Sequence, residues 1–147
     1  MPTTVKAVGA KAENSPIEPL EIQRRDVLPE DVRVGIEYSG ICHSDIHTVR
    51  GDWGDMPYPV VPGHEIIGRV LEVGDKVTRH KVGDLVGVGV IVKSCGECEN
   101  CLDGDDHFCQ GPTGPLLTFG EADPYTPGSF TQGGYSREIV TTEKFVY

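Results

Sequence analysis

The stretch PGHEIIGRVLEVGDKV, Pro62–Val77, carries the most information per residue in this 147-residue chain. A histidine and a glutamate, His64 and Glu65, stand together at the start of a β-branched run. That run, EIIGRVLEVG, reads as a strand closed by the turn Gly74–Asp75. Titratable side chains at the mouth of a strand are placed where a site can be built. Working outward, DVRVGIEYSG alternates Val32, Val34, Ile36 and Tyr38 with polar or small residues, the period of a half-buried strand. TVKAVGA (Thr4–Ala10), DLVGVGVIV after the turn Gly83–Asp84, and SREIVTT (Ser136–Thr142) read as further strands. Asp84 is a turn former. CHSDIHTVRG, Cys42–Gly51, lacks strand alternation and suits a short helix or turn. GDWGDMPYPVVPG and Gly111–Gly134 read as loops, dense in Gly and Pro. Many short strands with little helix predict a mainly β fold, a barrel or a sandwich.

The chain has 19 Gly, 11 Pro and a net charge of -10. Lys and Arg are scattered, with only Arg24–Arg25 adjacent, and a nucleic-acid backbone would repel so acidic a surface. No nucleic-acid partner is expected. No apolar run approaches the ~20 residues of a membrane span, and the N-terminus lacks a signal-peptide core. The expected location is the cytoplasm, with no membrane partner. Thiols stay reduced there, so clustered cysteines favour metal over disulfides.

Four of the five cysteines lie within SCGECENCLDGDDHFC, as C-x2-C-x2-C-x7-C: Cys95, Cys98, Cys101 and Cys109. Paired short spacings let a tight loop aim thiolates at one zinc, and a longer gap closes the shell. A ferredoxin run would continue C-x3-C-P, whereas here the last gap is seven residues and Gln110 follows. Four thiolates leave no open coordination position, so this site is structural rather than catalytic. Content in Gly, Asp and Asn predicts a loop across it. The fifth cysteine, Cys42, joins His64 and Glu65 in offering thiolate, imidazole and carboxylate, a second zinc ligand set.

GHEIIGRVLEVGDKV matches G-H-E-x2-G-x5-G-x2-V, as Gly63, His64, Glu65, Gly68, Gly74 and Val77. With GICHSDIH, YPVVPGHE, VGDLVGVG, the four-cysteine lobe and GGYS in that order, the chain resembles the zinc-dependent medium-chain alcohol dehydrogenases, in particular their cinnamyl-alcohol-dehydrogenase-like subgroup. The resemblance spans nearly the whole chain. It implies a GroES-like, partly open β-barrel with short helices over residues 1–147, a catalytic domain with a structural-zinc lobe at about 93–112. It also implies interconversion of primary alcohols and aldehydes by hydride transfer with NADP or NAD.

Residue by residue, the resemblance makes Cys42 and His64 ligands of a catalytic Zn2+, with Glu65 behind the metal or on it. Asp45 orients His64 from the second layer. Ser44 bonds the substrate hydroxyl and His47 continues a proton relay. His43 faces the coenzyme pyrophosphate, and Trp53 lines the substrate pocket. His80 and His107 match no role and are expected at the surface. The family commonly forms homodimers through its coenzyme domain.

Two features depart from the pattern. No cysteine follows Cys109 to serve as the family's third catalytic ligand, and no G-x-G-x-x-G segment marks a Rossmann coenzyme domain. The chain therefore reads as truncated and inactive alone, with the catalytic zinc incompletely held. The alternative is a free-standing GroES-like zinc-binding module with an interaction or structural role.

Overall fold

Alternating apolar residues build the core. The computed structural model describes residues 2–112 and 114–147. Its elements are β1 (Thr3–Ala10), β2 (Ile17–Arg24), β3 (Asp31–Ser39), α1 (His43–Arg50), β4 (Ile66–Val73), β5 (Leu85–Val88), β6 (Ile91–Lys93), α2 (Glu99–Leu102), β7 (Leu116–Leu117) and β8 (Glu138–Thr142). Strands β5-β4-β3-β8 form one antiparallel sheet, β1-β2 a hairpin, and β6-β7 a short third sheet. The inward faces supply one buried cluster of Val32, Val34, Ile66, Val70, Val86, Val88, Ile139 and Val146. A second, under the β1-β2 hairpin, contains Val5, Ala7, Ile22 and Val61.

The sheets are linked by isolated bridges rather than continuous ladders, so the mainly β barrel is partly open, as expected. Val8 N–H donates to Tyr135 O at 2.8 Å, and Arg137 N–H to Lys6 O at 3.0 Å. The opposite seam is a bridge between Val88 and Val146. Residue 137 also accepts from Ile36 N–H at 2.8 Å, so one segment serves two sheets.

The structure departs from the sequence reading in several places, one of them a strand that was not read. In β2, IEPLEIQR, Ile17, Pro19, Glu21 and Gln23 are exposed, while the inward face mixes Leu20 and Ile22 with the charged Glu18 and Arg24. The strand is nevertheless paired with β1 through eight residues. The cysteine lobe is not all loop: it contains α2 and a 3-10 turn at Asp106–Phe108. The last strand begins at Glu138 rather than Ser136. Asp84 is the turn former expected, accepting Lys81 N–H at 2.9 Å. Among the described residues no helix is long and apolar enough to cross a membrane.

Arg24 fastens the hairpin to the segment leading into β8. Its side chain is 9% exposed. Nε donates to Glu138 O at 2.8 Å, Nη1 to Gln132 O at 2.6 Å, and Nη2 to Gly133 O at 2.8 Å and Ser136 Oγ at 2.9 Å. Burial draws its pKa down to about 10, opposed by the charges of Asp123 and Glu138, so it stays cationic at neutral pH. Removing the guanidinium strands several buried acceptors at once. Arg24→Met is expected to lower stability by at least about 3 kcal/mol, read from the urea unfolding midpoint.

Candidate metal centres

The four-cysteine lobe hangs from the β6-β7 sheet. Cys98 caps α2 and Cys101 lies on it, so one helical turn sets the second C-x2-C spacing. Cys95 Sγ and Cys101 Sγ are 3.8 Å apart, and Cys98 Sγ and Cys101 Sγ 3.5 Å. With zinc–sulfur bonds of about 2.3 Å, the edge of a tetrahedron is about 3.8 Å. All four sulfurs lie within 4.8 Å of one another. Backbone donors surround them: Glu97 N–H and Cys98 N–H reach Cys95 Sγ at 3.4 and 3.3 Å, and Cys95 N–H reaches Cys109 Sγ at 3.3 Å. Backbone N–H groups of Gln110 and Cys101 bring the Cys98 thiol down to about 6, while burial pushes Cys101 up to about 12. Separation, donor set and N–H environment all fit a closed zinc site.

Asp106, buried in the lobe, accepts Ser94 Oγ–H at 2.6 Å and pairs with Lys144 Nζ at 2.8 Å. That pair ties the lobe to the turn after β8. The sequence carried no signal for it, because Asp106 is one of three acidic residues at 103–106 with equal claim to solvent.

The second group lies between α1 and the start of β4. Cys42 is the N-cap of α1, and its N–H donates to Asp45 Oδ2 at 2.9 Å. The ligand atoms of Cys42, His64 and Glu65 lie within 4.8 Å of one another. The Glu65 side chain folds across Gly40, where a Cβ would collide with the carboxylate. Gly63, at φ +101°, turns the chain into His64. The donors converge, and a thiolate, an imidazole and a carboxylate suit zinc.

Asp45 is 3% exposed and accepts from Cys42, from Gly63 N–H at 2.9 Å and from Tyr135 Oη–H at 2.8 Å. His64 Nδ1 lies 3.4 Å from Asp45 Oδ1 but does not align on it, and the nitrogen is buried without a hydrogen-bond partner. The oxygen it faces is already taken by Gly63 N–H. His64 Nε2 is on the other side, 3.5 Å from Ser44 Oγ, and is the ring nitrogen free to meet a metal.

His47 Nδ1 is 2.7 Å from Asp52 Oδ2, and its ring lies 5.4 Å from that of Trp53. Trp53 is 62% exposed, on the loop after α1. His43 is exposed at the first turn of α1. His107 is exposed and stacks on Phe108, whereas His80 is half-buried, with Nε2 3.1 Å from Val146 O, and so is not a plain surface residue. Phe119, which no motif pointed to, stands 5.8 Å from the His64 ring. Tyr135 lay within GGYS, but nothing in the sequence connected it to Asp45.

A family profile described as "Alcohol dehydrogenase GroES-like domain" matches residues 28–147. The chain belongs to that family. It is 51% identical over 142 residues to the aldehyde reductase YahK of Escherichia coli, covering 97% of this chain and 40% of that protein. It is 46% identical to cinnamyl alcohol dehydrogenase 7 of Oryza sativa, over 97% of this chain and 37% of the relative. The cinnamyl alcohol dehydrogenase of Helicobacter pylori, solved with NADP(H), superposes with a TM-score of 0.92 at 38% identity, covering 99% of this chain and 41% of that one. The chain thus spans about two-fifths of the length of these relatives.

The two donor sets of this GroES-like domain differ in closure, and metal analysis reads the difference. About one tightly held zinc per chain is expected, in the closed four-thiolate site. Cys101→Ser is expected to release it, whereas Cys42→Ser leaves it in place, as measured by elemental analysis after dialysis against a chelator.

Proposed function

We propose that residues 1–147 are the catalytic domain of a zinc-dependent, NADP-linked alcohol dehydrogenase or aldehyde reductase acting on primary alcohols and aldehydes in the cytoplasm. The observation that carries this is the convergence of Cys42, His64 and Glu65, with Ser44 Oγ 3.5 Å from His64 Nε2. A dinucleotide-binding domain would come from further chain, consistent with the longer relatives, several of which are named NADP-dependent. NAD is the less favoured coenzyme on the same comparison.

In this reading Cys42, His64 and Glu65 hold the catalytic zinc, and Cys95, Cys98, Cys101 and Cys109 hold a structural one. Zinc supplies Lewis-acid polarisation of the substrate oxygen, and the nicotinamide carries the hydride. The chain's own residues position and exchange the proton. In the reducing direction an aldehyde, a hydride from NADPH and one proton give the alcohol and NADP+. Ser44 donates its hydroxyl proton to the forming alcohol oxygen and is reprotonated along a path that ends at His47. Asp52, 2.7 Å from His47 Nδ1, holds that ring in place. His43, exposed on α1, would meet the coenzyme pyrophosphate. Phe119, 5.8 Å from the His64 ring, and Trp53, 5.4 Å from the His47 ring, would supply apolar surface near the reacting group, favouring bulky or aromatic aldehydes.

Joining residues 1–147 to all of the E. coli aldehyde reductase that this chain does not match, so that the expected third catalytic cysteine comes with the coenzyme domain, tests the reading. The chimera is expected to oxidise NADPH with aromatic aldehydes. Ser44→Ala should lower kcat by about 10²-fold or more, and Cys42→Ala should abolish turnover. The 147-residue chain alone should show none. A folded chimera that holds its structural zinc, binds NADPH and does not turn over would assign the domain to the binding-module alternative.

A further inference from the structure

We infer that Tyr135 is a positioning residue for the Cys42–His64 metal site, acting through Asp45. The inference rests on the proposed reading of that site. Its basis is the way three separate segments meet on one buried carboxylate.

Asp45 receives three donors. Two are backbone N–H groups, from Cys42 and from Gly63, the neighbour of His64. Asp45 therefore clamps together the two segments that carry the thiolate and the imidazole. Backbone donors can do this only if the carboxylate plane is held, and the third donor holds it. Tyr135 Oη–H reaches Oδ2 at 2.8 Å from the opposite wall, and the same hydroxyl lies 3.3 Å from Gly40 O, beside the glycine that seats Glu65. One hydroxyl thus touches the supports of all three candidate ligands.

The backbone around Tyr135 is arranged for this reach. Tyr135 N–H donates to Pro62 O at 2.9 Å, and Gly134 N–H to Gly63 O at 2.8 Å. A Cβ at Gly133 would meet Pro62 O at 2.5 Å, and a Cβ on Gly134 would collide with the Ile66 side chain. The two glycines let the chain lie against Pro62–Gly63, which brings the tyrosine ring over the back of the site. A Cβ on Gly63 would in turn strike the Tyr135 ring at 2.7 Å. Burial first, then the hydrogen bond to Asp45, raises the Tyr135 pKa well above its ordinary value, so the hydroxyl keeps its proton and remains a donor. Tyr135→Phe removes the donor that holds the plane of a 3% exposed carboxylate, so Asp45 loosens its grip on the Cys42 and Gly63 N–H groups. A thiolate and an imidazole held less firmly bind a metal more weakly.

The test is a Co2+ titration of the zinc-loaded 147-residue chain, following the cobalt–thiolate absorption contributed by Cys42. Tyr135→Phe is expected to weaken cobalt binding at this site by about tenfold or more and to shift its absorption, while the four-cysteine zinc stays bound. In an Asp45→Asn background, Tyr135→Phe is expected to have no further effect on cobalt affinity. Unchanged cobalt affinity and absorption in Tyr135→Phe, with binding that Cys42→Ala still removes, overturns the inference and leaves the site reading intact. Cobalt binding that Cys42→Ala does not remove overturns the site reading, and the inference with it. Loss of both metals together in Tyr135→Phe also overturns it, assigning the residue a general packing role.

Discussion

A single carboxylate holds the candidate catalytic centre together. Asp45 is withdrawn from water, so its charge must be met by donors, and each donor it recruits belongs to a different part of the chain. Cys42 comes from the end of β3 by way of a short loop, Gly63 from the approach to β4, and Tyr135 from the entry to β8. Helix α1 brings Asp45 to the point where these meet. The α1 helix, two sheet edges and the glycine-rich approach at 133–134 all have to be in register for the four groups to close. The candidate metal ligands are therefore not a cluster added to a barrel. They are a consequence of how its seam is sewn.

The other seam shows the same economy with opposite charge. Arg24 spreads four hydrogen bonds over the 132–138 segment, three to carbonyls and one to Ser136 Oγ, as the planar guanidinium geometry allows. That segment bonds β1 on one side and β3 on the other, and it also contributes Tyr135. An error in the seating of the β1-β2 hairpin would reach the metal site through this stretch, although the hairpin contributes no ligand.

Much of this was legible in the sequence, and what was not has physical reasons. The alternation of Val32, Val34 and Ile36 marked β3 because one face of that strand is buried and the other is not. The cysteine spacing marked the four-cysteine lobe because sulfurs that converge within 4.8 Å of one another constrain the chain locally. His64 and Cys42 were legible as a pair through the family signature and the chemistry of their side chains, not through spacing. Strand β2 was hidden because Pro19 stands in it and its inward face mixes the charged Glu18 and Arg24 with Leu20 and Ile22, which blurs the period. Helix α2, four residues long, owes its form to the sulfurs it must aim rather than to propensity. The roles of Tyr135, Asp106 and Phe119 were invisible because each depends on a partner far away in the chain, and an aromatic or acidic residue in a loop carries no positional pattern.

The four-cysteine lobe leaves and re-enters the barrel through the paired strands β6 and β7, where Ile91 faces Leu117 and Lys93 faces Leu116. A paired neck separates the length of an insert from the register of the strands that carry it. The turns around the cysteines can lengthen or shorten without shifting that neck, while Asp106 keeps its hold on Lys144 after β8. The four-cysteine unit is therefore a part with few attachments. The Cys42–His64 group, stitched into three segments at once, has no such freedom.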